Sequence, residues 1–447
     1  MMRTGRTRLT AALLLSTLTA ATWAVALPGS AAAGTTSIIR VTVNGDKGDA
    51  NPGDGICDTT AAASTTKCTL RAAIQTANEN PDASEIRFKI TGGSTLTKTI
   101  QPTSTLPTIT APLVIDGYTQ PGSVTNTAAT GTNAVPRVEL DGRFITAAGL
   151  TAAAPVTIRG LAIYWFGRGI QLSAGSDGSR ILGNFIGTDA AGTQDRGNDS
   201  SGILVNAKDV RIGSIVLGDR NLISGNTSSG INLGIAAGTA VIQGNLIGTS
   251  KNARKGIPNE GDGIFITGSK GHTIGGPFTG QGNVIAFNGG DGVNLISVKL
   301  SGSTMVPTGN RITNDSIFSN IGDAIDLGDD GPTPNDVVPD QDNGPNGLQN
   351  FPKLASAAQV ADGVVVRGTL ASRRGKDFEI QLFSNPAGDP EARTVRATFT
   401  VNTGPTGRIT FTRKLATLPP GVLVTATATD VERSNTSELS PARIVTP

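Results

Sequence analysis

A block of about sixty residues occurs twice in this chain, and a repeat of that size restricts the fold more than any local propensity does. Gly183-Asn184-Phe185-Ile186-Gly187-Thr188 returns 61 positions later as Gly244-Asn245-Leu246-Ile247-Gly248-Thr249. Asn221-Leu222-Ile223-Ser224-Gly225-Asn226 returns 62 positions later as Asn283-Val284-Ile285-Ala286-Phe287-Asn288. Each block holds two shorter turns that read as strand, tight bend, strand, bend, strand. The strands are Ile- and Val-rich runs bounded by Gly and Asn, too short for helices. Short strands recurring in one direction, at about twenty to forty residues per turn, predict a right-handed parallel β-helix. Each coil of such a solenoid buries its inward side chains only by stacking on its neighbours. A β-propeller would need four hairpin-linked strands per repeat.

Stacked turns place equivalent residues in columns. One column is Asn184, Asn221, Asn245 and Asn283, with Asp315 in the last register. Asparagine at a corner hydrogen-bonds along the stack and tolerates the left-handed bend, so this column reads as structural. A second column precedes the Gly-Ile strand: Ser201, Ser229, Asp262, Asp291 and Asp323. Coils lie about 4.8 Å apart. Carboxylates at that spacing need a cation, a donor or a shared proton to stay together. Asp262, Asp291 and Asp323 therefore read as turn residues facing water, as cation ligands, or as weak candidates for catalysis.

The ends of the repeat region carry different signals. Residues 1–33 have Arg3, Arg6 and Arg8, a short apolar run and the exit Ser30-Ala31-Ala32-Ala33, which together read as a secretory signal peptide. That apolar run is well short of the ~20 residues a membrane span needs. Without the three leader arginines, 34 basic residues stand against 35 acidic ones. A chain so balanced, with no basic block, is not expected to bind nucleic acid. Cys57 and Cys68, the only two cysteines, are expected to form a disulfide in an exported protein. Thr69–Glu79 has apolar residues at helical spacing (Leu70, Ala73, Ile74, Ala77) behind Thr69 as N-cap. A short amphipathic helix there predicts a cap over the first coil. Past Asp323 the coil pattern stops. Residues 329–350 have the Gly, Pro, Asn and Asp composition of a linker. From Phe351 onward, alternating strands with Pro/Gly turns predict an antiparallel immunoglobulin-like β-sandwich.

The segment Gly53-Asp54-Gly55-Ile56-Cys57-Asp58, followed by Lys67-Cys68-Thr69-Leu70-Arg71-Ala72-Ala73-Ile74, resembles the CSLREA-type domain that opens many bacterial secreted β-helix proteins. Thr69 stands where that family usually has Ser, and Ala72 where it usually has Glu. Ile115-Asp116-Gly117-Tyr118-Thr119-Gln120-Pro121-Gly122, Gly347-Leu348-Gln349-Asn350-Phe351-Pro352 and the ending Thr425–Asp430 with Asn435–Glu438 are similar to other parts of the same proteins. The resemblance implies export and the pectin-lyase-like solenoid, and no settled activity, because that fold hosts lyases, hydrolases and adhesins. The plan is then a leader (1–33), a CSLREA-type cap (34–100), a β-helix (101–328), a linker (329–350) and a sandwich (351–447).

Other groups invite a chemical reading. His272, the chain's one histidine, lies in Gly271-His272-Thr273, similar to the Gly-His-Gly of polygalacturonase-like hydrolases. The paired aspartates upstream and the Arg-Ile-Lys downstream that accompany it in those enzymes are missing, so His272 reads as a surface strand residue. Asp329, Asp330, Asp336, Asp340 and Asp342 offer many oxygens in the linker, and Ca²⁺ takes six to eight such ligands. The stretch reads as a solvated linker or as a calcium site, calcium being the one cofactor the sequence offers; no organic cofactor is expected. Two insertions, Gly187–Ser201 and Gly248–Asp262, leave one corner two coils apart with opposite charges. They read as salt-bridged loops or as one wall of a glycan groove. The sum of these readings is a secreted, monomeric, extracellular or cell-surface protein that binds polysaccharide or another cell-envelope component without cleaving it. The alternative is a polysaccharide lyase or hydrolase working along the groove.

Overall fold

The computed structural model describes residues 37–60, 67–93, 95–278, 280–340 and 342–447. The expected signal peptide lies outside them. Among the described residues no helix is long and apolar enough to cross a membrane.

The repeated turns stack as a right-handed parallel β-helix. One face is a nine-stranded parallel sheet running from Ser37–Val41 through Arg211–Ile212 and Val241–Ile242 to Arg311–Thr313. A second sheet of thirteen strands bends around the other two faces. In its early coils the long strands Val138–Ala152 and Leu161–Leu172 cover both faces; later coils split them at a corner, as in Phe185–Ile186 and Ile203–Val205. The registers line up the repeated isoleucines. Ile212, Ile242, Ile274 and Ile312 form one inward row. Ile203, Ile231, Ile264, Val293 and Ile325 form another, and Ile186, Ile223, Ile247, Ile285 and Ile317 a third. These residues are all buried. Each buried aliphatic side chain contributes about 1.5–3 kcal/mol, but only when the coil above and the coil below are both present.

The corners are held by polar ladders. Asn184, Asn221, Asn245 and Asn283 are buried, and each Oδ1 takes donors from the coil before it. Asn221 Nδ2 donates to Asn245 Oδ1 (2.8 Å), and Asn245 Nδ2 donates to Asn283 Oδ1 (2.9 Å). The same amides donate back to Ile181 O and Ile212 O (both 2.8 Å). The column ends at Asp315, whose Oδ1 accepts from both Asn283 N and Nδ2. A second ladder, Asn198, Asn226, Asn259, Asn288 and Asn320, holds another corner and ends on Glu391 of the sandwich. A third contains His272. Its Nδ1 accepts from Ala240 N (3.1 Å), and its own N–H donates to Asn310 Oδ1. Asn310 N in turn donates to Asn346 Oδ1. His272 is therefore a fully buried ladder member, not a surface strand residue. Because Ala240 N–H is a fixed donor, Nδ1 is unprotonated and Nε2–H faces Ser269 Oγ at 2.9 Å. Burial holds the ring pKa down at about 4.

Both open ends are covered. The helix Leu70–Glu79, N-capped by Thr69 Oγ1 accepting from Ala72 N, buries Leu70, Ala73, Ile74 and Ala77 against the first coils. Arg71 fastens it through Asp46 at 2.9 Å, and Cys57 and Cys68 are joined as a disulfide. At the other end an antiparallel module contains strands Lys353–Val360, Gly363–Ala371, Asp377–Asn385, Thr394–Asn402, Arg408–Leu415 and Leu423–Asp430. The short Arg443–Thr446 strand joins its two halves around one core. This module packs directly on the last coil. Ile317 and Ala392 exchange backbone hydrogen bonds, Arg311 pairs with Glu379 (2.8 Å), and Gln381 and Asn314 bond reciprocally. Phe383 and Ala392 join the solenoid core.

Residues 329–350, read from composition as a linker, run between the two units and are fastened to both. Asn346 is fully buried, donating to Asn310 O and Thr436 O. Asp340 Oδ2 accepts from Gln349 Nε2, Asn350 N and Ser372 Oγ. The Gly, Pro, Asn and Asp content supplies bends and buried acceptors here, so the segment is a strap.

Two tests follow from this packing. Asn245→Ala strands several buried backbone and amide groups, each costing about 1–3 kcal/mol. It should lower stability in urea denaturation by about 3 kcal/mol, far more than the same change at an exposed asparagine. The ladder-terminating acids give a pH dependence. Burial pushes Asp315 and Glu391 up to about 7 and Glu438 up to about 6. Each binds its proton more tightly folded than unfolded, so their stabilisation is complete below about pH 4 and is lost as pH rises to about 7. His272 acts oppositely, its contribution fading as pH falls from about 6.5 to 4. Three acids outweigh one histidine, and the melting temperature in metal-free buffer should rise as pH is lowered from about 7.5 to about 5.5. Glu391→Gln should flatten that slope.

Candidate functional site

The Ser/Asp column stacks in the register its sequence predicts. Gly202 N donates to Ser229 O, Gly230 N to Asp262 O, Gly263 N to Asp291 O and Gly292 N to Asp323 O. The carboxylates climb with the backbone. Asp262 Oδ1 accepts from Asp291 N (2.8 Å), and Asp291 Oδ1 accepts from Asp323 N (2.6 Å). Asp291 is 8% exposed, so the plain picture of turn residues pointing into water does not hold for it. Burial, then the neighbouring carboxylates Asp262, Asp326 and Asp323, push Asp291 up to about 7. Burial also raises Asp262 and Asp323, with Asp329 and Asp326 adding to it at Asp262, and Asp326 at Asp323. The charges acting on this ladder are other carboxylates, with no basic partner among them.

The structure divides the acids expected to bind calcium into two groups. Asp336, Asp340 and Asp342 have carboxylate oxygens within 4.8 Å of one another. Asp340 Oδ2 is engaged by the strap and Ser372, and Asp336 Oδ1 accepts from Asn350 Nδ2. Asp329 belongs elsewhere: its Oδ1 accepts from Asn294 Nδ2 (2.8 Å), beside Asp262 and Asp326. Asp330 is exposed in the turn that follows. Asp326 joins the ladder group, because Asp291, Asp323 and Asp326 also have oxygens within 4.8 Å of one another. Each acidic cluster is thus of a size to surround one metal ion. Sequence reasoning missed Asp326 and Asn294, which sit opposite each other in neighbouring strands. The pattern Asn-x-x-(Ser/Asp)-(Gly/Ala)-(Ile/Val), repeated from Asn198 to Asn320, was the available signal for the second ladder.

A second constellation lies at the two insertions. They form small hairpins, bridged at Thr188 and Asp195 and at Thr249 and Gly256. Lys251 N donates to Gly192 O (3.1 Å). Among the described residues no ion pair joins their charged side chains, so a backbone contact takes the place of the expected salt bridges. Beneath them, register shifts between Val138–Ala152 and Leu161–Leu172 re-aim the strand. Trp165 sits there at φ 58°, a conformation that costs a bulky side chain about 1–3 kcal/mol. Arg143 stacks over its ring at 4.6 Å and Arg196 at 5.1 Å. Arg143 is fixed by Asp141 (2.8 Å), and Arg196 by the hydroxyl of Tyr164 (3.0 Å). Tyr164 is 1% exposed; its hydroxyl also lies 3.2 Å from Glu139, and burial raises its pKa. Phe144, 72% exposed, stands next to this stack in sequence. A cavity of about 390 Å³ adjoins it, lined by Arg137, Arg196, Lys251, Glu139 and Asp189 among others. Tyr164-Trp165-Phe166 was a visible signal in a chain with only two Trp and two Tyr.

No protein-family model matches the chain, and no curated protein does. Among solved structures it is similar to the A-module of a mannuronan C-5 epimerase from Azotobacter vinelandii, at 12% identity and a TM-score of 0.22, over 61% of this chain and 88% of that one. It is also similar to the enzymatically active domain of tailspike protein 2 of bacteriophage CBA120, at 12% identity and a TM-score of 0.25, over 83% of this chain and 73% of that one. The fold rests on the chain's own strand order and register.

Proposed function

We propose that this is a secreted, monomeric, non-catalytic protein that binds an acidic extracellular polysaccharide or a similar cell-envelope polymer, with calcium as an accessory ligand and no organic cofactor. In this reading residues 34–100 are a CSLREA-type cap, and the C-terminal module is an immunoglobulin-like sandwich. The observation that carries it is the Arg143–Trp165–Arg196 stack beside the insertion loops. Guanidinium groups held over an indole and tied by Asp141 and Tyr164 are pre-oriented, so little rotamer freedom is lost when they bind carboxylate or sulfate oxygens. The exposed Phe144 supplies an apolar face for a sugar ring. Strain retained at Trp165 supports a role beyond packing, because strained conformations cluster at functional sites. A non-catalytic role is supported by the buried, fully hydrogen-bonded His272 and by an aspartate ladder whose charged neighbours are all acidic.

The purified protein should bind pectin, alginate or a glycosaminoglycan in affinity electrophoresis and ignore a neutral glucan. Trp165→Ala should weaken that binding by about 2 kcal/mol, some thirtyfold, the scale of an aromatic hot spot. Binding to all polymers alike, or to none, would refute the reading. Ultraviolet-absorbing unsaturated sugars or new reducing ends, lost in Asp291→Asn, would establish the enzyme alternative instead.

A further inference from the structure

We propose that Asp291, Asp323 and Asp326, together with the amide oxygen of Asn294, bind one hard divalent cation, calcium, where the last coils meet the strap. This gives a place to the calcium of the reading above and does not depend on glycan binding.

The spacing of the three carboxylates fits ligands around one ion. Calcium–oxygen distances are about 2.3–2.6 Å, so ligands on opposite sides of one ion are about 5 Å apart at most. The three carboxylates have oxygens within 4.8 Å of one another. They also have spare capacity, since a carboxylate offers about four lone-pair positions. Asp326 uses one position on each oxygen, for Asp329 N and Gly331 N. Asp291 uses one oxygen, for Asp323 N. Among the described residues, no donor reaches the other oxygen of Asp291 or either oxygen of Asp323.

Asn294 supplies an independent observation. It is 2% exposed, and its Nδ2 donates to Asp329, yet its buried Oδ1 accepts no hydrogen bond. Buried amide oxygens are rarely left unpartnered. Asn294 is the register partner of Asp326. Val293, Leu295 and Ile325, which flank the pair, belong to the solenoid core, so alternation puts Asn294 and Asp326 together on the outer face. Asn294, whose oxygen is orphaned, therefore stands beside Asp326, one of the three clustered acids.

The donor set selects the ion. Four oxygen ligands without His or Cys favour calcium or magnesium over zinc or copper. Loop and strand-end ligands at uneven spacing suit the irregular shell of calcium better than the octahedron of magnesium, with water completing the shell. The ion would offset the mutual repulsion of the buried acids and lock the turn after Asp326 to the coil before it. Among the described residues, the other acidic cluster, at Asp336, Asp340 and Asp342, offers no buried orphaned acceptor.

The test is calorimetric titration of calcium chloride into the purified, chelator-stripped protein. One site is expected. Asp323→Asn should weaken it about tenfold or more, the scale of loss when a supporting group is removed from a metal site. Asn294→Ala, which keeps every carboxylate, should weaken it as well, and a merely packing asparagine would not. Melting temperatures in chelator establish that both variants fold. No calcium binding at millimolar concentration would overturn both this site and the accessory calcium of the proposed function, leaving the glycan reading to its own test. Binding that survives both variants but is lost in Asp336→Asn would overturn the site and leave the accessory calcium standing.

Discussion

Each coil of this solenoid turns corners where backbone N–H and C=O groups have no strand partner, and those groups are buried between the coils above and below. An unpaired buried amide or carbonyl costs about 1–3 kcal/mol, so a dozen unsatisfied corners would exceed the net stability of an ordinary domain, about 5–15 kcal/mol. Stacked asparagines solve this because an amide donates and accepts at once. Asn221 passes a donor forward to Asn245 and another back to Ile181 O, and Asn184, Asn245 and Asn283 repeat the pattern. Aspartate cannot replace it within the run, having no N–H to pass on. At the last position no further donation is required, and Asp315 and Glu391 stand there.

The same logic explains why the C-terminal module sits on the solenoid and not apart from it. A ladder and a sheet both end in unpaired groups, and an open parallel edge invites other chains. The helix Leu70–Glu79 covers the first edge with apolar side chains. The last edge is covered by a module that carries its own acceptors: Glu391 for Asn320, Thr436 Oγ1 for Ile312 N, and Glu438 for Leu327 N. Stability at the junction is thereby tied to buried carboxylates, and so to pH.

Two chemistries are segregated along the molecule. Insertions on early coils bring cations and aromatic rings together around Trp165. The last coils and the strap gather carboxylates around Asp291. The near-neutral total of the chain conceals this division. Both constellations rely on the solenoid for rigidity: successive coils fix the spacing of the aspartates, and register shifts between two long strands fix the attitude of the indole.

The repeat made much of this legible in advance. Translational stacking converts sequence spacing directly into neighbours, which is why the Asn184–Asp315 column, the Ser201–Asp323 column, the inward isoleucines and the helix over the first coil could be read from the chain alone. What escaped depended on contacts between segments outside the repeat. His272 looks like a surface residue until Asn310, Ala240 and Ser269 close around it. Residues 329–350 have the composition of a linker until Asn310, Thr436 and Ser372 engage them. Asn294 and Asp326 become a pair only across a strand register, and Trp165 becomes a platform only after two arginines from different segments stack on it. Sequence by itself determined the periodic part, because burial of apolar side chains follows strand alternation and coil count. The tertiary structure alone decided the fate of the polar groups, because whether an Asp, Asn or His faces water or a partner depends on which distant backbone groups need a donor or an acceptor at that point.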